Sequence, residues 1–145
     1  MEYTMQQQVD GEFDDVVERT IDALGEEGFG VLCDIDVRAT FEEKLDEEFR
    51  RYRILGACNP SLAFEGLEAE IELGALLPCN VVVYERSETG SDSDSASGDE
   101  PRADDGEVVV SAVDPEQLVG IAGNDELDSI ATEVGDRFER VLGSL

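Results

Sequence analysis

Charge is the first constraint on this chain. Asp and Glu number 37 and Lys and Arg 10, a net charge of −27 over 145 residues. At ordinary ionic strength such a surface repels itself and favours the expanded chain. At about 1 M salt the Debye length falls to about 3 Å and the repulsion is screened. Two kinds of protein carry this balance: an acidic disordered chain, or a folded domain of a salt-loaded cytoplasm. Apolar periodicity outside one segment selects the folded, halophilic reading. Hydrophobic residues make up 41% of the chain, enough for one modest core, and with no Trp that core is mainly aliphatic. The length is that of one ordinary domain, so a single domain over 1–145 is expected.

The same charge excludes nucleic acid as a partner, because binding it needs cations that displace counterions from phosphates. The longest uncharged run, Leu73 to Tyr84, is too short for the ~20 residues of a spanning helix. Met1-Glu2-Tyr3-Thr4-Met5 lacks the basic and apolar regions of a signal peptide. A cytoplasmic protein with no membrane partner is therefore expected. Three cysteines in a reducing compartment argue against a disulfide scaffold.

Periodicity gives the element order. Residues 3–9 alternate as a strand, with Tyr3, Met5 and Val9 on one face. Phe13, Val16, Val17, Ile21 and Leu24 follow at helical spacing, ending near Gly25 or Gly28. In the strand from Phe29 to Val37, the alternation places Val31, Cys33, Ile35 and Val37 inward and Asp34 and Asp36 outward, so Cys33 is expected in the core. A short acidic helix over 39–48 and a strand from Tyr52 to Cys58 come next. Asn59-Pro60 opens a helix, Asn as the cap and Pro at the first position. Ala63, Leu67 and Ile71 mark its inward face, and Gly74 ends it. Strands follow at Asn80 to Arg86 and from Glu107 to Val113. Between them, residues 87–105 are acidic and serine-rich with almost nothing apolar, the composition of a disordered hairpin insertion. A helical turn at Glu116 to Val119 leads to a final helix capped by Asn124 or Asp125. The expected fold is α+β, a single sheet of about five strands with helices packed mainly on one face.

Several segments occur in an order that marks a family: Gly28-Phe29-Gly30-Val31-Leu32, Ile35-Asp36-Val37, Ile54-Leu55-Gly56-Ala57-Cys58-Asn59-Pro60, Leu77-Pro78-Cys79-Asn80-Val81 and Asp114-Pro115. The chain resembles the "domain of unknown function 302" family from about residue 10 onward, interrupted by the acidic insertion. The resemblance implies a small α+β fold and a homodimer; it implies no activity.

Chemistry-bearing candidates are few. Cys58 ends a strand before a helix N-terminus, a place that lowers a thiol pKa. Cys79 follows Pro78 and, like Cys58, precedes an asparagine. The pair could act in thiol redox chemistry, hold a soft metal such as Cu(I), or be buried packing residues. They meet only if their strands are antiparallel neighbours. Cys58, Asn59, Pro60, Cys79 and Asn80 form this candidate thiol or ligand site. A zinc site is not expected, since four ligands are needed and histidine is absent. Arg50, Arg51 and Arg53 form a weaker candidate anion site; the alternative is that they pair with surface acids. Asp92-Ser93-Asp94 begins like a calcium loop but Ala96 and Ser97 break the pattern. No catalytic set is found, so the expected function is a dimeric domain binding an unknown small ligand or protein, with no cofactor. Thiol or soft-metal chemistry at Cys58 and Cys79 is the alternative.

Overall fold

The computed structural model describes residues 3–86 and 107–145. The order is β1 (Thr4–Asp10), α1 (Phe13–Glu26), β2 (Gly30–Asp36), α2 (Val37–Leu45), β3 (Tyr52–Cys58), α3 (Pro60–Ala69), a 3-10 turn (Ile71–Leu76), β4 (Cys79–Glu85) and β5 (Glu107–Val113). Then come α4 (Pro115–Ala122), a 3-10 turn (Asp125–Leu127) and α5 (Asp128–Gly143). The expected insertion and the calcium-like run lie outside the described residues.

Five strands form one sheet in the order β1-β5-β4-β3-β2, each pair antiparallel. The two edge strands are consecutive in sequence, and α1 carries the chain from one edge to the other. One sheet face is buried. Val9, Val108, Val110, Ala112, Val81, Val83, Leu55 and Ala57 supply it, and α1 and α5 pack on it through Val16, Val17, Leu24, Phe138 and Val141. Phe138 is fully buried and tilts against Phe29 at a ring separation of 4.9 Å. The apolar spacing of α5 thus faces the sheet as read from the sequence, and the α+β class holds.

Local chemistry sets the helix starts. Asn59 Oδ1 accepts from Leu62 N–H at 3.2 Å with Pro60 in the first turn. Asp36 caps α2 through Ala39 N–H and Asp114 caps α4 through Glu116 N–H. These bonds satisfy donors that the first turn leaves open. Gly28 adopts φ +90°, and a Cβ there would lie 2.9 Å from Asn59 Nδ2, so this turn needs glycine.

Two expectations fail for local reasons. A β-bulge between Val31 and Cys33 makes Leu32 an extra residue opposite β3. The alternation inverts there: Val31 faces the core, and Cys33 and Ile35 turn to the other face. Cys33 is exposed, so its expected place in the core is corrected. In the second case α3 ends at Ala69 and the chain tightens into a 3-10 turn, which rotates Ile71 outward to 77% exposure.

Candidate functional site

The sheet brings the sequence-predicted cysteines to one corner. Ala57 pairs with Cys79 across antiparallel β3 and β4, so Cys58 and Cys79 lie at the same end of neighbouring strands. Both line an apolar cavity of about 60 Å³, with Phe29, Leu62, Leu73 and Val134 among its walls. That space is smaller than a cavity of about 150 Å³ that admits a benzene ring. Burial, with a smaller contribution from neighbouring Cys58, pushes the Cys79 thiol up to about 11. Cys79 is therefore a neutral thiol at physiological pH, a poor nucleophile and a poor metal ligand until deprotonated. Among the described residues, no group of three or more His, Cys, Asp or Glu side chains is arranged to hold a metal ion.

The other members of that candidate cluster separate. Asn59 is the α3 cap and Pro60 begins the helix. Asn80 alternates with Cys79 and looks out from the opposite sheet face. Gly56, opposite Asn80, has no room for a side chain, since a Cβ there would lie 2.6 Å from Cys33 Sγ and 2.8 Å from the Pro78 ring.

The arginines also divide. Arg53 donates twice to Asp34, at 2.8 and 2.7 Å. That bond holds the Asp34 carboxyl below its usual range and the Arg53 guanidinium above its own. Arg51 lies 3.9 Å from Glu85. Arg50 Nη1 donates to the carbonyls of Glu85 and Arg86 at 3.3 and 3.0 Å, fastening the 46–50 loop to the end of β4.

The larger feature is the second sheet face, which single strands do not reveal. Register assembles it in cross-strand rows. Gln6, Ser111, Val82, Ile54 and Ile35 form one row; Gln8, Val109, Tyr84 and Tyr52 form the next. A groove of about 450 Å³ runs over these rows, walled by Tyr3, Phe49, Arg50, Tyr52 and Tyr84, with Thr4, Gln6, Asn80, Val82, Ser111 and Val113 completing it. An aromatic chain borders it: Tyr52 and Tyr84 stack at 5.4 Å and 16°, Phe49 meets Tyr52 at 6.0 Å, and Phe41 of α2 meets Phe49 edge-on at 5.2 Å. A shallower apolar shelf of Ile35, Val37, Phe41 and Ile54 adjoins it.

Two properties distinguish this face. Neither the groove nor the shelf is lined by an Asp or a Glu, in a chain where these are 37 of 145 residues. All three tyrosines of the chain line the groove. Burial and neighbouring Tyr84 and Tyr3 raise the pKa of Tyr52, so its hydroxyl stays protonated and neutral. Thr4 Oγ1, on the groove strand, is shielded from solvent and has no hydrogen-bond partner; it is the one such side-chain atom found among the described residues.

Comparison with known proteins agrees with this architecture. The model of the family described as domain of unknown function DUF302 matches residues 5–91 and 102–145. The chain belongs to the DUF302 family. The unmatched residues 92–101 fall within the acidic segment between β4 and β5. A solved structure, that of an uncharacterised conserved DUF302 protein from Bacillus stearothermophilus, is similar over 99% of this chain and 98% of that chain. The TM-score is 0.81 and the identity 26%. No curated protein matches. Among the described residues no helix is long and apolar enough to cross a membrane.

Proposed function

We propose that this DUF302 protein is a non-enzymatic binding module that takes its ligand in the groove on the open face of the sheet. The acid-free groove carries this reading. Asp and Glu cover a chain of this composition almost everywhere, and a concave face kept neutral and aromatic is set apart from that surface. Its volume falls in the range of about 300–1,000 Å³ of small-molecule sites, and its lining has their character of apolar walls with a few polar groups. The cysteine corner supports a packing role instead: its cavity is small, and Cys79 is held neutral.

The test uses the tyrosines. With no Trp in the chain, ultraviolet-excited emission comes from Tyr3, Tyr52 and Tyr84 alone. Compounds that raise the melting temperature in concentrated KCl are expected to change that emission and to lose their effect in Tyr84→Ala. Stabilising compounds indifferent to Tyr84→Ala would place the binding face elsewhere.

A further inference from the structure

We infer that the ligand is an uncharged, planar heteroaromatic molecule, bound flat against the tyrosine wall with its hydrogen-bonding edge toward the polar side of the groove. This rests on the groove being the binding face, and it is carried by the distribution of charge and polarity within the walls.

Charge is decided by what lines the groove. No carboxylate is present to pair a cation, and Arg50 would repel one. An anion would have to shed its water in a groove whose one lining cation, Arg50, has Nη1 bonded to two backbone carbonyls. At molar salt, charges beyond about 3 Å are screened, so neither sign gains from the distant surface. A neutral ligand meets no such opposition.

Shape is decided by the rings. Tyr52 and Tyr84 lie nearly parallel at 5.4 Å, too close to admit a third ring between them. They form a wall against which a flat molecule stacks. Phe49 extends it, and Val82 supplies an apolar floor in the next row. A purely aliphatic ligand would bury the exposed side chains of Gln6 and Asn80 without partners, beside the already buried Ser111, which is costly. These three groups stand on β1, β4 and β5, whereas the rings come chiefly from β3, β4 and the loop before β3. The site therefore matches a molecule with a flat apolar body and donors and acceptors along one edge, as in a nucleobase or an isoalloxazine-type ring.

The experiment titrates the full chain in concentrated KCl with adenosine and lumichrome, both uncharged, and with adenosine monophosphate as the anionic counterpart. Calorimetry reads affinity and tyrosine emission reports the site. Sedimentation equilibrium is run in parallel. The uncharged probes are expected to bind and change the emission, with the monophosphate at least tenfold weaker. Tyr84→Ala is expected to weaken binding about tenfold or more through lost stacking. Gln6→Ala, at an exposed strand position that leaves the fold intact, is expected to weaken it severalfold. Equal or tighter binding of the monophosphate overturns the neutral class and makes Arg50 an anion receptor. Failure of both uncharged probes overturns the inference. If the chain is then a dimer that Val82→Glu dissociates, the occupant is a second copy: the ligand class falls and the binding face stands. If it is a monomer whose stabilising compounds ignore Tyr84→Ala, both fall.

Discussion

Replacing the proton on Cys79 is a quantitative probe of the buried corner. An ordinary thiol with a pKa of 9.0 is about one-tenth thiolate at pH 8; one at about 11 is about one-thousandth thiolate. Because alkylation consumes the thiolate, the shift alone slows Cys79 by about a hundredfold against an ordinary thiol of pKa 9.0. Restricted access slows it further, so the rate at one pH does not isolate the cause. The pH at which the rate stops rising does, since access scales the whole profile without moving it. Iodoacetamide labelling in concentrated KCl, resolved by peptide mass spectrometry, is expected to show Cys79 still accelerating beyond pH 10. The same shift acts on stability. Between about pH 9 and 11 the folded chain keeps the Cys79 proton and the unfolded chain has released it. Stability from this group is therefore complete below about pH 9 and is lost as the pH rises through about 11. The loss is of order 3 kcal/mol, and Cys79→Ala should flatten that part of the profile. A labelling rate that levels off near pH 9 would refute the reasoning, because it would mean that burial does not bear on the thiol.

Lowering the salt tests the charge argument: with a net charge of −27, reducing KCl from molar concentration to about 0.1 M restores a Debye length of about 10 Å. The melting temperature should fall by many degrees; a salt-independent melting temperature would show that self-repulsion does not govern stability. Phe138→Ala removes a fully buried ring from the junction of α5, Phe29 and the sheet and should cost about 3–5 kcal/mol, measured by urea unfolding in high salt. Gly66→Ala would set a methyl group 2.6 Å from Leu73 Cδ2; a destabilisation of about 1–3 kcal/mol is expected, read from the same unfolding curves. Replacing residues 87–106 by Asn-Gly, so that two residues join Arg86 to Glu107, should leave one cooperative transition. β4 and β5 are already joined up to the Arg86 N–H to Glu107 carbonyl bond at 3.1 Å, and that dipeptide suits a two-residue hairpin. Loss of cooperativity would give the segment a role in the fold.

Much of the fold is legible in the residues because local signals agree with tertiary ones. β3 runs from Tyr52 to Cys58 as read, since Asn59-Pro60 stops the strand and starts α3 by the same two side chains. Leu127, Ile130, Ala131, Val134, Phe138, Val141 and Leu142, at helical spacing, face inward because the acids between them cannot. What alternation cannot carry is an inserted residue. Leu32 leaves no mark in the pattern, yet it turns Cys33 and Ile35 to the opposite face. Ile71 keeps helical spacing with Leu67, but the α-helix has ended. The cysteine corner could be named from sequence, while its meeting depended on strand pairing. The groove was harder to see. Gln6, Tyr52, Asn80, Tyr84 and Ser111 are ordinary strand residues one at a time. They line one groove only when four strands are placed in register. A signal was present in retrospect: the outward positions Tyr52 and Ile54 of β3 and Asn80, Val82 and Tyr84 of β4 carry no charge, unlike the solvated faces elsewhere in this chain.

The ordering of the sheet also bears on how the molecule is made. Among the described residues β1 pairs with β5 alone, with Thr4 opposite Val113. β1 therefore leaves the ribosome roughly 100 residues ahead of the strand it pairs with. At about 5–20 residues per second it waits roughly 5–20 s as an unpaired strand. Its sequence, Thr-Met-Gln-Gln-Gln-Val-Asp, suits that wait, because three consecutive glutamines keep it soluble and weakly adhesive. The acids on α1 add like-charge repulsion between neighbouring nascent chains. The net charge that opposes compaction of this chain thus equally opposes contact between its unfolded copies.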